Sequence, residues 1–401
     1  MTEKLYSIEA LRRRAHRRLP KMVSDFLDGG ALDERTLRAN REAFESLRFK
    51  QRILRDLSEI NVSTSALGED LGIPMIVSPM GLLTILHPDS DLGIARAVAR
   101  ARSLMVHSPW SGCSLEETHD AAGGRVLAQI AFWRDRKVTE EHIARARNLG
   151  VSTLVVAGDV AFSSKRERDI VHGTGMPPKP PIRDVFDVAL HPGWMAGWLT
   201  GRPMTWGSYR IDDRRIRMRE MDGWMSRHNT KDATWEDVAA IRRSWDGRIA
   251  VKGVMCVEDA EEAVNAGADA IFISNHGGRQ FDNQPGTVDV LPRIADAVGD
   301  RAEIIVDGGV RRGSDIVAAL GRGANLAAGG RAFAYGLAAA GEAGADRAFA
   351  VLSDELRIAL AYAGVRSVSE LGPHVFADGA GPALPVGTPS EAPPQLFSHA
   401  R

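Results

Sequence analysis

The nine residues SNHGGRQFD at 274–282 hold the densest chemistry in the chain. His276 lies two residues past the end of a β-rich run, Ala270–Ser274. Glycines at 277 and 278 leave its ring open to a ligand, and Arg279 is placed to hold a carboxylate beside it. Isolated histidines such as His16 and His119 lack that setting and read as structural. Asp159 closes a second β-rich run, Thr153–Gly158, and is expected to orient His276 through the second ring nitrogen. Arg166, in SKRERD, is a further anion contact, or equally one charge of a solvated run. Lys252, in the apolar stretch IAVKGV, is costly to bury without an anion, so it predicts one nearby.

Two later segments read as an anion cradle. DGGVRRGSDI brings Gly308, Gly309, Arg311 and Arg312 to the start of a helix, and AAGGRAF repeats the device with Gly330 and Arg331. Glycine admits close backbone approach, helix N-termini favour negative charge, and arginine grips phosphate in a bidentate way. The plainer alternative is a pair of tight turns. No Cys/His cluster has zinc spacing, and no GxGxxG follows the first strand, so neither a metal nor a dinucleotide site is expected.

These residues need a scaffold that brings distant strand ends together. Eight short β-rich runs, at Pro74–Ser78, Leu104–His107, Val126–Ala131, Thr153–Gly158, Ile249–Lys252, Ala270–Ser274, Glu303–Asp307 and Asn325–Gly329, alternate with Ala/Arg/Glu-rich stretches of helical length. Continuous apolar strands separated by amphipathic helices predict parallel β-α units. Eight of them predict an α/β fold, a (β/α)8 TIM barrel, whose catalytic groups gather at the carboxyl ends of the strands. Those ends carry Ser78, His107–Ser108, Gln129, Asp159, Lys252, Ser274, Asp307 and Gly330–Arg331. Residues 1–70 form an N-terminal helical extension, 71–372 the barrel, and 373–401 a Pro/Gly/Ala-rich, flexible tail. A long insertion at about 165–234 follows the fourth strand. It is expected to serve the active face as a lid, although its tryptophans beside basic residues, over about 184–206, also suit a membrane surface or an oligomer contact.

Composition sets outer limits. With 51 Lys+Arg against 52 Asp+Glu the net charge is −1, which removes the cationic footprint of a nucleic-acid binder. A hydrophobic content of 44% argues against wholesale disorder. Two cysteines cannot form a disulfide framework, which suggests a reducing, cytoplasmic setting. The charged N-terminus does not read as a signal peptide, and no run is long enough for a spanning helix.

From LPKMVSDFLDGG at 19–30 to GEAGADRAF at 341–349, the chain resembles the FMN-dependent 2-hydroxy acid dehydrogenase/oxidase family. SNHGGRQFD, VKGV and DGGVRRGSDIVAALGRGA followed by GGRAFAYGLA carry the resemblance. It implies a TIM barrel, FMN as cofactor, and oxidation of the α-carbon of a 2-hydroxy acid to a 2-oxo acid. It further implies His276 as base, Asp159 as its partner, and Arg279 with Arg166 as the substrate-carboxylate clamp. FMN would rest on Pro79, Met80, Gly81, Ser108, Gln129, Lys252 and Ser274. Asp307 would take the ribityl chain, with Gly308, Gly309, Arg311, Gly330 and Arg331 around the phosphate. Relatives are commonly tetramers, so a homo-oligomer is expected, with oxygen, a quinone or another carrier taking the electrons.

The chain departs from the family pattern at three places: Phe26 and Ala131 replace tyrosines, and Ala157 replaces a threonine. Missing hydroxyls and the small Ala131 predict a wider, more apolar substrate pocket than lactate or glycolate needs. Gly81, where oxidases often carry alanine, leans towards a dehydrogenase. Two alternatives follow from the altered pocket: oxidation of a C–N bond in a specialised-metabolism precursor, and flavin binding without turnover.

Overall fold

The computed structural model describes residues 4–174, 178–211 and 214–377. The tail from 378 onward, and residues 175–177 of the proline-rich turn, lie outside the described residues.

Eight parallel strands close a barrel: β1 (Met75–Val77), β2 (Met105–His107), β3 (Val126–Ile130), β4 (Thr153–Ala157), β5 (Arg248–Val254), β6 (Ala270–Ser274), β7 (Glu303–Asp307) and β8 (Leu326–Gly329). Each pairs with its neighbours in sequence order, and β8 returns to β1. Helices at Ser90–Ala101, Leu115–Ala121, Arg136–Asn148, Trp235–Ser244, Val257–Asn265, Thr287–Val298, Gly313–Gly321 and Arg331–Ala363 cover the outside. The last is helical on both sides of a break at Ala340–Gly341.

Period-two alternation places the chemistry. Ile76, Val106, Leu127, Ala250, Phe272 and Ile305 point inward and form one buried apolar layer, closed from below by Ala66, Leu67 and Leu71 of a small hairpin. Two residues further along these strands, the inward positions are Ser78, Ser108, Gln129, Lys252, Ser274 and Asp307. A dry apolar plug is thereby topped by a polar floor at the carboxyl end.

The N-terminal extension folds as α1 (Ile8–Arg18), α2 (Lys21–Asp28) and α3 (Arg35–Ser46). Ser7 caps α1 by accepting from the Ala10 N–H at 3.1 Å. Asp28, at the end of α2, is buried and accepts from Arg12 Nη2 at 2.6 Å and the Tyr335 hydroxyl at 2.7 Å, which ties the extension to the barrel mouth. Asn40 of α3 exchanges two side-chain hydrogen bonds, 2.8 and 2.9 Å, with buried Asn275. Residues expected to begin a flexible tail instead pack: Phe376 stacks on Phe49 with centroids 5.5 Å apart, and the Ala377 N–H reaches the Arg48 carbonyl.

The insertion after β4 holds helices Glu167–His172, Ile182–Ala189, Pro192–Thr200 and Met218–His228, and an antiparallel hairpin of Thr205–Ile211 with Arg214–Arg217. His172 is clasped between Asp184 at 2.7 Å and Asp25 of α2 at 2.8 Å, which fixes the insertion to the extension.

Candidate active site

One cavity of about 610 Å³ opens at the carboxyl end of the barrel. Its polar wall is drawn from every part of the chain: Ser78 after β1, Lys252 on β5, His276 and Arg279 after β6, Asp307 ending β7, Arg311, Arg331, and Arg166 from the insertion.

The floor is a closed ionic cluster. Lys252 Nζ lies 2.9 Å from Asp307 Oδ2 and donates to Ser274 Oγ at 2.7 Å. Ser274 Oγ donates to Asp307 Oδ2 at 2.8 Å, and Ser78 Oγ to Asp307 Oδ1 at 2.5 Å. Burial opposes both charges, but the pairing prevails: Asp307 and Asp159 raise the Lys252 pKa, while Lys252 with the two serines lowers that of Asp307.

Above the floor, His276 Nδ1 lies 3.0 Å from Asp159 Oδ2. Burial works against the Asp159 charge, yet His276 and Lys252 hold its carboxyl below the ordinary range. The loop that presents the ring is left-handed at three consecutive residues, His276 (φ 56), Gly277 (φ 63) and Gly278 (φ 74). Glycine at 278 is required by space as well, since a Cβ there would sit 2.6 Å from the Leu37 backbone.

Arg279 donates to the carbonyls of Phe26 at 2.9 Å and Gly29 at 2.7 Å, with its guanidinium 5.2 Å from the Phe26 ring centre. Arg166 Nε donates to the Arg279 carbonyl at 3.3 Å. Burial, then the guanidiniums of Arg166 and Arg331, push the Arg279 pKa well down, opposed by Asp169 and Glu34. Burial also lowers Arg166, with Arg331 adding to the effect against Asp169. So many converging cations define a site short of anions. Asp169, on the cavity wall, was not singled out in the sequence. Burial raises its pKa against the pull of Arg279 and Arg166.

The two glycine-arginine turns follow β7 and β8 at the mouth of the barrel. Gly308 and Gly309 both have positive φ, and a Cβ on Gly309 would meet the Asn40 carbonyl oxygen at 2.4 Å. Arg311 faces the cavity, its pKa lowered by burial and by Arg331 and Arg41. Arg331 donates to the Gly277, Leu27 and Gly29 carbonyls, which places it between the cradle and the His276 loop. The expected pairing of Arg311 with Arg312 does not hold, because Arg312 turns outward to Glu355 at 2.7 Å. Pro79, Met80, Gly81, Gly330 and Phe26 line the cavity as expected.

Ser108, Gln129 and Ser274 are buried at the inward strand-end positions beneath the cavity. Ser274 acts through Lys252, and Ser108 accepts from the Trp110 N–H at 3.2 Å. His107 shares the outward face of β2 with Met105, so its ring leaves the mouth and meets Ser208 Oγ at 3.1 Å. Ala131 lies just past β3, in a buried cluster with Trp133, Trp206, Tyr209 and Trp224. Trp206 of the wall escaped notice because nothing local to the insertion says where it returns.

The donor set fits FMN. A buried cation with an acid beside it underlies the cavity, and glycine-rich turns with Arg311 stand where a phosphate would sit. The profile of the family described as FMN-dependent dehydrogenase matches residues 15–378. An L-lactate dehydrogenase of Chromohalobacter salexigens is 37% identical over 368 residues, covering 90% of this chain and 92% of that protein. A putative L-lactate dehydrogenase of Mycobacterium tuberculosis is 34% identical, covering 92% and 88%. Among solved structures, the monotopic membrane protein (S)-mandelate dehydrogenase superposes with a TM-score of 0.89 at 34% identity, covering 94% of this chain and 100% of that one. A mandelate oxidase solved with (S)-4-hydroxymandelic acid gives 0.78 at 33% identity, covering 91% and 96%. Matched by the family model over residues 15–378 and by relatives along nine-tenths of its length, the chain belongs to the FMN-dependent dehydrogenase family of 2-hydroxy acid oxidoreductases.

Proposed function

We propose that the protein oxidises the α-carbon of a 2-hydroxy acid bulkier and more apolar than lactate, and passes the electrons to a membrane-borne carrier in preference to oxygen. The observation that carries the reading is His276 held by Asp159 at 3.0 Å in the same cavity as Arg166 and Arg279. Bound FMN supplies the two-electron acceptor. Arg279 and Arg166 bind the substrate carboxylate. His276 takes the proton released on oxidation at Nε2, which makes no hydrogen bond among the described residues, while Asp159 keeps the ring in place through Nδ1. Lys252, Ser78 and Asp307 would hold the cofactor, and Gly308, Gly309, Arg311, Gly330 and Arg331 would hold its phosphate.

The substrate size rests on the apolar half of the wall, built from Leu82, Trp110, Val160, Phe162, Trp206 and Met225. Phe26 brings a ring but no hydroxyl to the carboxylate end. The membrane contact rests on Ile182, Val185, Phe186, Leu190, Trp198 and Leu199, all exposed on two successive helices of the insertion. Those helices are fixed to the body, since Trp194 Nε1 donates to the Ile85 carbonyl at 2.7 Å and Asp187 accepts from the Lys21 N–H at 2.5 Å. No described helix is long and apolar enough to cross a bilayer, and the similar (S)-mandelate dehydrogenase is a monotopic membrane protein, which supports a monotopic contact. Gly81 stands where oxidases of the family often carry alanine, which favours the dehydrogenase reading; a Cβ there would lie 3.0 Å from the Trp110 side chain.

The test is anaerobic absorbance of the purified holoprotein with mandelate, 3-phenyllactate, lactate, glycolate and a set of amines, followed by admission of oxygen. Bleaching by the aryl hydroxy acids, with slow recovery in oxygen, is expected. Bleaching by amines alone would reassign the reaction to a C–N bond, and no bleaching at all would leave a flavin-binding protein without turnover.

A further inference from the structure

We infer that Trp206, delivered by the hairpin of the insertion, is the specificity-determining wall for the substrate side chain and selects aryl over short alkyl 2-hydroxy acids. The inference rests on the functional reading above and deepens it.

Trp206 is 4% exposed, lines the cavity, and lies 53 residues beyond the start of β4 on a strand that is not part of the barrel. Its position is overdetermined by its neighbours. Gly207 lies so close to the 111–114 loop that a Cβ would sit 2.1 Å from the Cys113 carbonyl carbon, and its N–H donates to the Ser111 carbonyl at 2.9 Å. Ser208 is held by His107 Nε2 at 3.1 Å, and its carbonyl by Arg145. Tyr209 accepts from Trp133 Nε1 at 3.0 Å. The three residues that follow Trp206 are therefore locked to the barrel.

The indole N–H of Trp206 has no hydrogen-bond partner among the described residues. The ring is therefore placed by packing, 5.8 Å from Trp224 and 6.4 Å from Tyr209, both edge-on. Ala131 shares this cluster. A small residue there leaves room for the indole, so the two positions act as one unit. A rigid aromatic wall rewards a flat, apolar substituent by burial and offers nothing to a methyl group.

The test is steady-state and stopped-flow kinetics of holoenzyme carrying Trp206→Ala, Trp206→Phe, Ala131→Tyr and the Ala131→Tyr/Trp206→Ala pair, with mandelate, 3-phenyllactate and lactate as probes. For Trp206→Ala, the ratio of kcat/KM for mandelate over lactate is expected to fall by about tenfold, mainly through the KM for mandelate. Flavin reduction by lactate should fall less than reduction by mandelate does. Ala131→Tyr should impair the enzyme by itself and be tolerated once the indole is gone. Should the alanine variant fail to hold FMN, Trp206→Phe carries the test with a smaller fall of about threefold. An unchanged ratio in a variant that holds FMN, or additive effects in the pair, overturns the assignment of Trp206 alone. Wild-type flavin that no 2-hydroxy acid reduces overturns the functional reading beneath it as well.

Discussion

Nδ1 of His276 meets Oδ2 of Asp159 at 3.0 Å across the barrel mouth, joining the loop after β6 to the end of β4. The pairing leaves Nε2 as the ring nitrogen open to a ligand. His276→Ala should keep its FMN, because the ionic floor is untouched, yet lose reduction by substrate by a factor on the order of 10²–10⁴. Asp159→Asn should lose less, since the ring is then misdirected but present. Rapid-mixing measurements of flavin bleaching separate the two, and wild-type rates in His276→Ala would remove that residue from the chemistry.

The Lys252–Asp307 pair is buried at both partners, so breaking it on one side strands a charge. Lys252→Met should cost about 3–5 kcal/mol in urea denaturation. The Lys252→Met/Asp307→Asn double variant should recover part of that loss. Equal stability of the single and double variants would show that the carboxylate is not stranded.

Beneath the hairpin, burial pushes His107 down to about 3 and His142 down to about 4. Both rings are neutral in the folded protein at neutral pH. Below about pH 6.5 the unfolded chain takes up protons that the folded chain refuses, so stability falls as pH drops from 6.5 towards 4. Each ring contributes a slope of about 1.4 kcal/mol per pH unit in that window. Urea midpoints at pH 7, 5.5 and 4.5 should converge for His142→Phe relative to wild type. A parallel acid loss in both proteins would place the titration elsewhere.

The exposed apolar residues of the insertion predict a vesicle-binding face. Phe186→Glu with Leu190→Glu should abolish co-flotation with phospholipid vesicles and leave anaerobic reduction by substrate unaltered. Retained flotation would assign these side chains to another contact.

The barrel was legible because parallel strands buried on both faces read as short apolar runs, and β6 and β7 fall on the expected residues without adjustment. The insertion was legible as a length and a tryptophan-bearing composition, not as a fold. Its hairpin joins Trp133 to Tyr209, 76 residues apart, and pairing of that kind leaves no periodic trace in either segment. The same blindness explains Ala131, which by size alone suggested open volume, whereas an indole from the hairpin shares its cluster.

Residue order alone therefore determined the eight β-α units, the inward polar position at most strand ends, and the chemistry of SNHGGRQFD, because alternation and turn residues are local properties of a chain. Tertiary packing decided which polar ends face one another. It brought His276 to Asp159 across 117 residues, turned His107 and Arg312 away from the cavity, and set Trp206 in its wall. Those outcomes depend on barrel closure and on how the insertion returns, and both are fixed by contacts between segments that carry no record of each other.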